Sequence, residues 1–236
     1  MRLNKHNSKG PARETHAQPQ VFHAAFTLPE LLVVLVIIIV LAGMIMPTAP
    51  PYAREKAYRV RCINNLKNLG LAFRIYATDN NDRLPWDLSR PKDPKSATHI
   101  VYLNDPTTYI LAISNELSTP KIVKCPADTR SETTNWTQFS HENLSYFVSP
   151  DASETYPEST MAGDRNITNK NGRLSSKLHD LSTTDVAAVG WDETIHKNQG
   201  NACLGDGSVR QLTSARLREQ LHTTDQTNKT IKLSVP

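Results

Sequence analysis

Four side chains toward the C-terminal end of this chain have types and spacing that chemistry can use. Asp192 and Glu193 precede His196, and Asp206, followed by Gly207, stands ten residues after the histidine. Carboxylate oxygens from Asp192, Glu193 and Asp206 are the hard donors that Ca²⁺ takes, with His196 an unusual companion. The same imidazole could serve as a general base oriented by Asp192 or Asp206. That use needs a reacting partner, and no Ser or Cys stands in a recognisable nucleophile context, so an enzyme is not expected. The plainest use is mechanical. His196 would fold over the turn that follows it and bond the Asp206 carboxylate or a turn carbonyl, bracing the turn.

A further ionisable group sits where solvation disfavours it. Leu31 to Met46 runs without a charged or strongly polar residue, and Glu30 stands at its mouth. At 1.5 Å per helical residue that run reaches roughly 24 Å, and counting from Phe26 extends it to roughly 31 Å, against a hydrocarbon core of roughly 30 Å. The longer count takes in Glu30, and a carboxylate in a spanning helix costs up to ~2.5–3.5 kcal/mol at the centre. A membrane anchor with no other task gains nothing from it. Three cysteines, Cys62, Cys125 and Cys203, are too few for a disulfide framework and lack metal-ligand spacing. A Cys62–Cys125 bridge would tie a helix to the domain that follows; three buried free thiols is the alternative.

The elements that must position these groups can be read coarsely. Tyr58, Cys62, Leu66, Leu69, Phe73 and Tyr76 recur at spacings of three and four, one stripe of a helix over 52–80. Pro47, Pro50 and Pro51 stand before it and predict a kink or break. Thr107 to Leu117 predicts a short amphipathic helix, Ser145–Val148 a strand, and Asp185–Trp191 a buried strand. Asn201–Gly205 and Ser208–Leu212 flank Asp206-Gly207, a hairpin pattern with a type I′ turn. Ser214 is placed to cap a helix bearing Leu217 and Leu221. The span Ser149–Gly172 is polar and aperiodic and predicts an exposed excursion; residues 223–236 predict a frayed polar tail.

Composition limits the partners. A net charge of +4 is too small to argue for nucleic acid, particularly as Arg2, Lys5, Lys9 and Arg13, against Glu14, lie in the first 25 residues. Charge on the two sides of the apolar run is balanced, so it does not orient the chain. A secretory signal peptide competes as a reading of the start, but no clean small-x-small site follows before Pro47.

The basic leader, the small Ala25, Phe26-Thr-Leu-Pro-Glu30 and the unbroken apolar run together resemble the N-terminal signal of type IV prepilins and type II secretion pseudopilins. Two positions depart from that pattern: Ala25 stands where glycine is usual, and Pro29 where an aliphatic residue is usual. Pro29 is compatible with a helix that starts near Phe26, because the first amides of a helix are unpaired anyway. The segment Arg54 to Asn80, the strings Lys124-Cys-Pro-Ala-Asp128 and Gly163-Asp-Arg-Asn166, and His196-x9-Asp206-Gly207 are similar to pilin-like proteins of Planctomycetes and Verrucomicrobia. The resemblance implies cleavage between Ala25 and Phe26 by a prepilin peptidase, N-methylation of Phe26, and pairing of Glu30 with a neighbouring subunit's N-terminal amine. It also raises the calcium reading, the only cofactor expected, since some pseudopilins use that ion near their C-terminus.

The resulting expectation is an α+β, pilin-like fold: a long N-terminal helix, membrane-spanning in its first half, packed on a small antiparallel sheet. Its parts are a leader over 1–25, an assembly helix over 26–51, a stalk helix over 52–80, a head over 81–222 and a tail over 223–236. The expected placement is a single-pass protein of the bacterial inner membrane, N-terminus cytoplasmic and head periplasmic, which then enters a pseudopilus or the cell surface. Expected partners are the peptidase/N-methyltransferase, other pilin-like subunits, the secretion platform and inner-membrane lipid. A signal-anchored binding module is the other class considered, with the Ser149–Gly172 loop and Trp86, Trp136 and Trp191 as recognition surfaces.

Overall fold

The computed structural model describes residues 26–45, 50–88, 105–175, 177–224 and 230–236. The first helix, α1 (Leu28–Ile45), belongs to a unit ending at Thr48, and the remainder of the chain forms a second unit. Helix α1 opens with one half of a capping box, the Glu30 carboxylate reaching back to Thr27. The Thr27 amide donates to Glu30 Oε2 at 2.9 Å and the Thr27 hydroxyl donates to the same oxygen at 2.7 Å. The string Thr-Leu-Pro-Glu is the S/T-x-x-E pattern that supplies a helix start with this acceptor. The bond from the Thr27 backbone holds the Glu30 carboxyl below its ordinary value. From Leu31 to Leu41 every side chain of α1 is exposed within the chain.

The long membrane-spanning helix expected from the sequence is corrected here. Helix α1 has 18 residues, which reach roughly 27 Å at 1.5 Å each, short of a roughly 30 Å hydrocarbon core. Among the described residues no helix is long and apolar enough to cross a membrane, which overturns the single-pass inner-membrane placement. The described residues resume at the start of the next helix. Pro50 is extended, with φ −60° and ψ 150°, and Pro51 occupies the start of the next helix, where its missing amide costs nothing. Pro47 and Ala25 lie outside the described residues.

That next helix, α2 (Pro51–Asp79), carries the stripe read from the sequence: Cys62, Leu66, Leu69 and Phe73 are fully buried. It is followed by α3 (Pro85–Leu88) and α4 (Pro106–Ala112), the latter capped by the Asp105 carboxylate, which accepts from the Thr107 amide at 2.8 Å. Trp86 joins these pieces, stacking edge-on against Phe73 and Tyr109 and donating its indole N–H to the Ala152 carbonyl.

Two antiparallel sheets complete the second unit. The larger is built of β1 (Tyr146–Val148), β2 (Thr160–Asp164), β5 (Lys177–Ser182), β7 (Gln199–Leu204), β8 (Val209–Thr213) and β9 (Thr230–Val235), in the order β5-β9-β1-β2-β7-β8. The smaller contains β3 (Ile167–Asn169), β4 (Gly172–Arg173) and β6 (Gly190–Trp191), ordered β4-β3-β6. The period-two alternation divides the side chains. Tyr146, Val148 and Cys203 face the α2 side of the larger sheet, and Phe147, Ala202 and Leu233 face the other. That other side is covered by Trp191, by α5 (Thr183–Val186) and by α6 (Ser214–Thr224), which buries Leu217 and Leu221.

Several expectations change. Residues 230–235 are no frayed tail: β9 fills the gap between β5 and β1, with Ile231, Leu233 and Val235 buried. Its Ile-x-Leu-x-Val alternation is short, and the polar residues before it hide it in any composition window. The Ser149–Gly172 span is no excursion either, since β2 within it is wholly buried at the centre of the sheet. The strand expected over Asp185–Trp191 begins instead as α5, because the Ser182 hydroxyl and Asp185 carboxylate form a capping box. Ser214 does not cap α6. Its hydroxyl accepts from the Trp191 amide, and Thr213 takes the capping place by accepting from Arg216.

The β7–β8 hairpin closes on three residues rather than two. The Gly207 amide donates to the Leu204 carbonyl and the Leu204 amide to the Ser208 carbonyl, with Gly207 at φ 82°. A type I turn followed by a left-handed residue has this form, and only the last position needs glycine. The hairpin lies against α2 so closely that a Cβ on Gly70 would come within 2.5 Å of Cys203 Sγ. Gly70→Ala is therefore expected to destabilise this unit by about 1–3 kcal/mol through overpacking. Adding Cys203→Ala should recover most of that loss in a denaturant titration; a second change without effect would show that the strain lies elsewhere.

Candidate functional site

His196 begins a run of three consecutive left-handed residues, with φ 59°, 52° and 60° at His196, Lys197 and Asn198. L-residues resist this conformation by roughly 1–2 kcal/mol each, so neighbours must hold it. They are identifiable. The Asn198 amide donates to the Asp192 carbonyl at 3.1 Å. The Asn166 side-chain amide donates to the carbonyls of Asp192 (3.0 Å) and Ile195 (2.8 Å). Arg59 of α2 donates to the His196 carbonyl at 2.9 Å, and Lys197 pairs with Glu55 of the same helix.

This backbone turns the imidazole inward. His196 is buried, its Nε2 lying 3.5 Å from Cys125 Sγ and 3.7 Å from Asp164 Oδ2. Cys125 is joined to Cys62 of α2 by a disulfide with Cα atoms 5.1 Å apart, and Cys203 is a buried free thiol. Asp164 is fully buried and its Oδ2 accepts from the Asn201 amide (2.7 Å) and the Asn201 side chain (2.9 Å). Burial pushes the Asp164 carboxyl up to about 7 and, with Arg59 nearby, lowers His196 to about 4. Each group is driven toward its uncharged form, as expected of ionisable groups taken from water.

One step outward, Arg165 makes a two-pronged pair with Asp128 at 2.7 and 2.6 Å. Burial alone would raise Asp128, but the Arg165 bonds outweigh it and hold the carboxyl below its ordinary range. The three short strings singled out in the sequence therefore meet. Lys124–Asp128 supplies Cys125 and Asp128; Gly163–Asn166 supplies Asp164, Arg165 and Asn166; and His196 closes the group. Beside it lies a cavity of about 410 Å³ lined by Arg54, Glu55, Tyr58, Pro126, His196 and Lys197, among others.

The groupings expected from sequence are not those formed. His196 does not reach Asp206. Strand β7 separates them, and its six residues span roughly 17–20 Å in extended form. Asp206 caps its own turn by accepting from the Ser208 amide at 2.8 Å, while its carbonyl accepts from Arg74 at 3.0 Å. Arginines 59 and 74 of α2 thus grip the two ends of the motif, and the nine-residue spacing matches the length of β7 to the helix it lies along. The calcium set is corrected likewise. Asp192 accepts from Thr194 and pairs with Arg173 at 3.2 Å, Glu193 accepts from Asn198 at 3.3 Å, and Asp206 is at the far end of the hairpin.

Trp86 and Trp191 are buried, and Trp136 packs on Phe139, so the stacking surfaces that a saccharide-binding module would need are largely occupied. Asp164 is the residue that sequence reasoning passed over. Its signal was present, an acid flanked by Gly163 and Arg165 in a string already noticed, but no spacing rule ties it to a histidine 32 positions away. Compared with protein-family models, with curated proteins and with solved structures, the chain matches none.

Proposed function

We propose that this chain is a pilin-like structural subunit of a type II secretion or type IV pilus-like filament. A prepilin peptidase would cut between Ala25 and Phe26, and the new amine of Phe26 would be methylated. The observation that supports this reading is α1, an 18-residue helix whose apolar side chains from Leu31 to Leu41 are exposed among the described residues. A patch of that size calls for a partner. Packing α1 helices of successive subunits side by side would cover it, and each subunit would need a place for Glu30 in that bundle.

The Thr27 bonds leave the carboxylate free to take a further partner. Glu30 Oε2 is committed to Thr27, but a carboxylate accepts about four bonds in all. Oε1 is therefore the oxygen that would meet the Phe26 amine of a neighbour, removing two unpaired charges from an apolar bundle together. The second unit would ride on the filament, with the His196 group fixing its hairpin to α2.

Mass spectrometry of protein from its native host tests the first step, with N-methyl-Phe26 expected as the mature terminus. Glu30→Ala is expected to leave cleavage intact and abolish pelletable filaments. Filaments that form normally from Glu30→Ala protein would sink the pairing role, and retention of residues 1–25 would sink the whole reading.

A further inference from the structure

We propose that the place now closed by the Cys62–Cys125 disulfide is, in the reduced chain, a binding site for a thiophilic divalent metal ion of the Zn²⁺ class. Its ligands would be Cys62 Sγ, Cys125 Sγ and the His196 imidazole. In this structure these three donor atoms lie within 4.8 Å of one another, and all three residues are buried. Two thiolates and one imidazole form the donor set Zn²⁺ prefers, leaving one position of a tetrahedron for a further ligand.

The step balances simply. A dithiol reductant transfers two electrons and two protons, so the Cys62–Cys125 bond breaks and two thiols form while the reductant closes its own disulfide. The metal then displaces both thiol protons into solvent. Zn–S bonds of ~2.3 Å set the two sulfurs about 3.8 Å apart in a tetrahedron. Side-chain rotation can supply that separation, since the two Cα atoms are 5.1 Å apart.

Three further features favour a site over a chance cluster. The imidazole is held in place by the left-handed run at 196–198 and by the Arg59 bond to its carbonyl. Among the described residues neither His196 Nδ1 nor Asp164 Oδ1 has a hydrogen-bond partner, although both are buried. Unsatisfied polar atoms at such depth are uncommon. His196 and Pro126, next to Cys125, also stand in the wall of the 410 Å³ cavity, so the imidazole lies between that cavity and the sulfurs' neighbourhood. The inference is independent of filament assembly.

Co²⁺ is the probe, because tetrahedral thiolate coordination gives it visible bands and near-ultraviolet charge transfer. The full chain, reduced without oxygen by a phosphine that is then removed, is expected to bind one Co²⁺, displaceable by Zn²⁺. The oxidised chain should bind none. His196→Ala should weaken the reduced site at least ~10-fold, by comparison with losses seen for residues around metal sites. Cys203→Ser should leave it unchanged, which keeps the test valid if the histidine variant folds poorly. A reduced wild-type chain without tetrahedral bands, or with bands that persist unaltered in a folded His196→Ala chain, overturns the proposal. So does a reduced chain that loses its far-ultraviolet dichroism and does not recover it on adding Co²⁺.

Discussion

Replacing Cys62 and Cys125 together by alanine is expected to lower the stability of the second unit by about 4 kcal/mol. The bridge closes a loop across a sequence separation of 63 residues. Chain-entropy estimates for a loop of that size give about 4 kcal/mol from restriction of the unfolded chain. The segment enclosed is long and contains α3, α4 and the 3₁₀ turn Pro120–Val123, none of which has a ladder of its own to hold it. Without the bridge that segment keeps Trp86, Tyr109 and Ile110 in the core, so the fold should persist at a lower denaturant midpoint. Urea titrations of the double variant and of wild type in reductant should agree. A loss below about 1 kcal/mol would mean that the unfolded chain is already restrained between α2 and Cys125.

Much of what builds this unit was legible because it depends on local pattern. The α2 stripe buries from Cys62 to Phe73 as its spacing of three and four requires, with Tyr58 and Tyr76 half-buried at its ends, and the hairpin around Asp206-Gly207 forms where turn residues interrupt two alternating runs. Failures came where local and tertiary signals disagree. The β9 sequence is three apolar residues among polar ones, and its burial comes from two strands, β1 and β5, that lie far away in sequence. At Ser182–Asp185 a capping box outcompeted the apolar run that reads as a strand. The membrane-spanning expectation failed by counting: Thr27 and Glu30 start the helix at Leu28, and among the described residues α1, Leu28–Ile45, is too short and no helix is long and apolar enough to cross a membrane.

The site was legible in its parts and not in its pairing. His196, Cys62 and Cys125 were each singled out, as was the string containing Asp164, but only the crossing of β2 beside β7 places them together. The Ca²⁺ grouping of Asp192, Glu193 and Asp206 assumed that neighbours in sequence converge. An extended strand does the opposite, carrying Asp206 away at about 3.3 Å per residue. The arginines at 59 and 74 hold the two ends of that strand.

Asp164→Asn is expected to turn a nearly pH-independent stability between about pH 4 and 6.5 into one that falls as acid is added. In the native chain the Asp164 carboxyl, raised from 3.8 to about 7, keeps its proton through that window, while His196, lowered from 6.5 to about 4, has none. In the unfolded chain the aspartate has lost its proton and the histidine holds one. Both states therefore bind one proton between the two groups, whichever of them carries it, and the linkage slope is near zero. Removing the carboxyl leaves His196 alone. Below pH 6.5 the unfolded chain then binds a proton that the native chain refuses until about pH 4, so the stabilisation present at neutral pH is lost as pH falls. The expected slope is roughly 1.4 kcal/mol per pH unit, or roughly 3 kcal/mol across the window. The reverse substitution, His196→Asn with Asp164 kept, should lose stability as pH rises from about 4 to about 7, because the native carboxyl then holds a proton that the unfolded one has given up. Urea midpoints of the three proteins at four pH values would separate these slopes. Parallel curves for wild type and Asp164→Asn would show that the histidine and the acid do not share a proton.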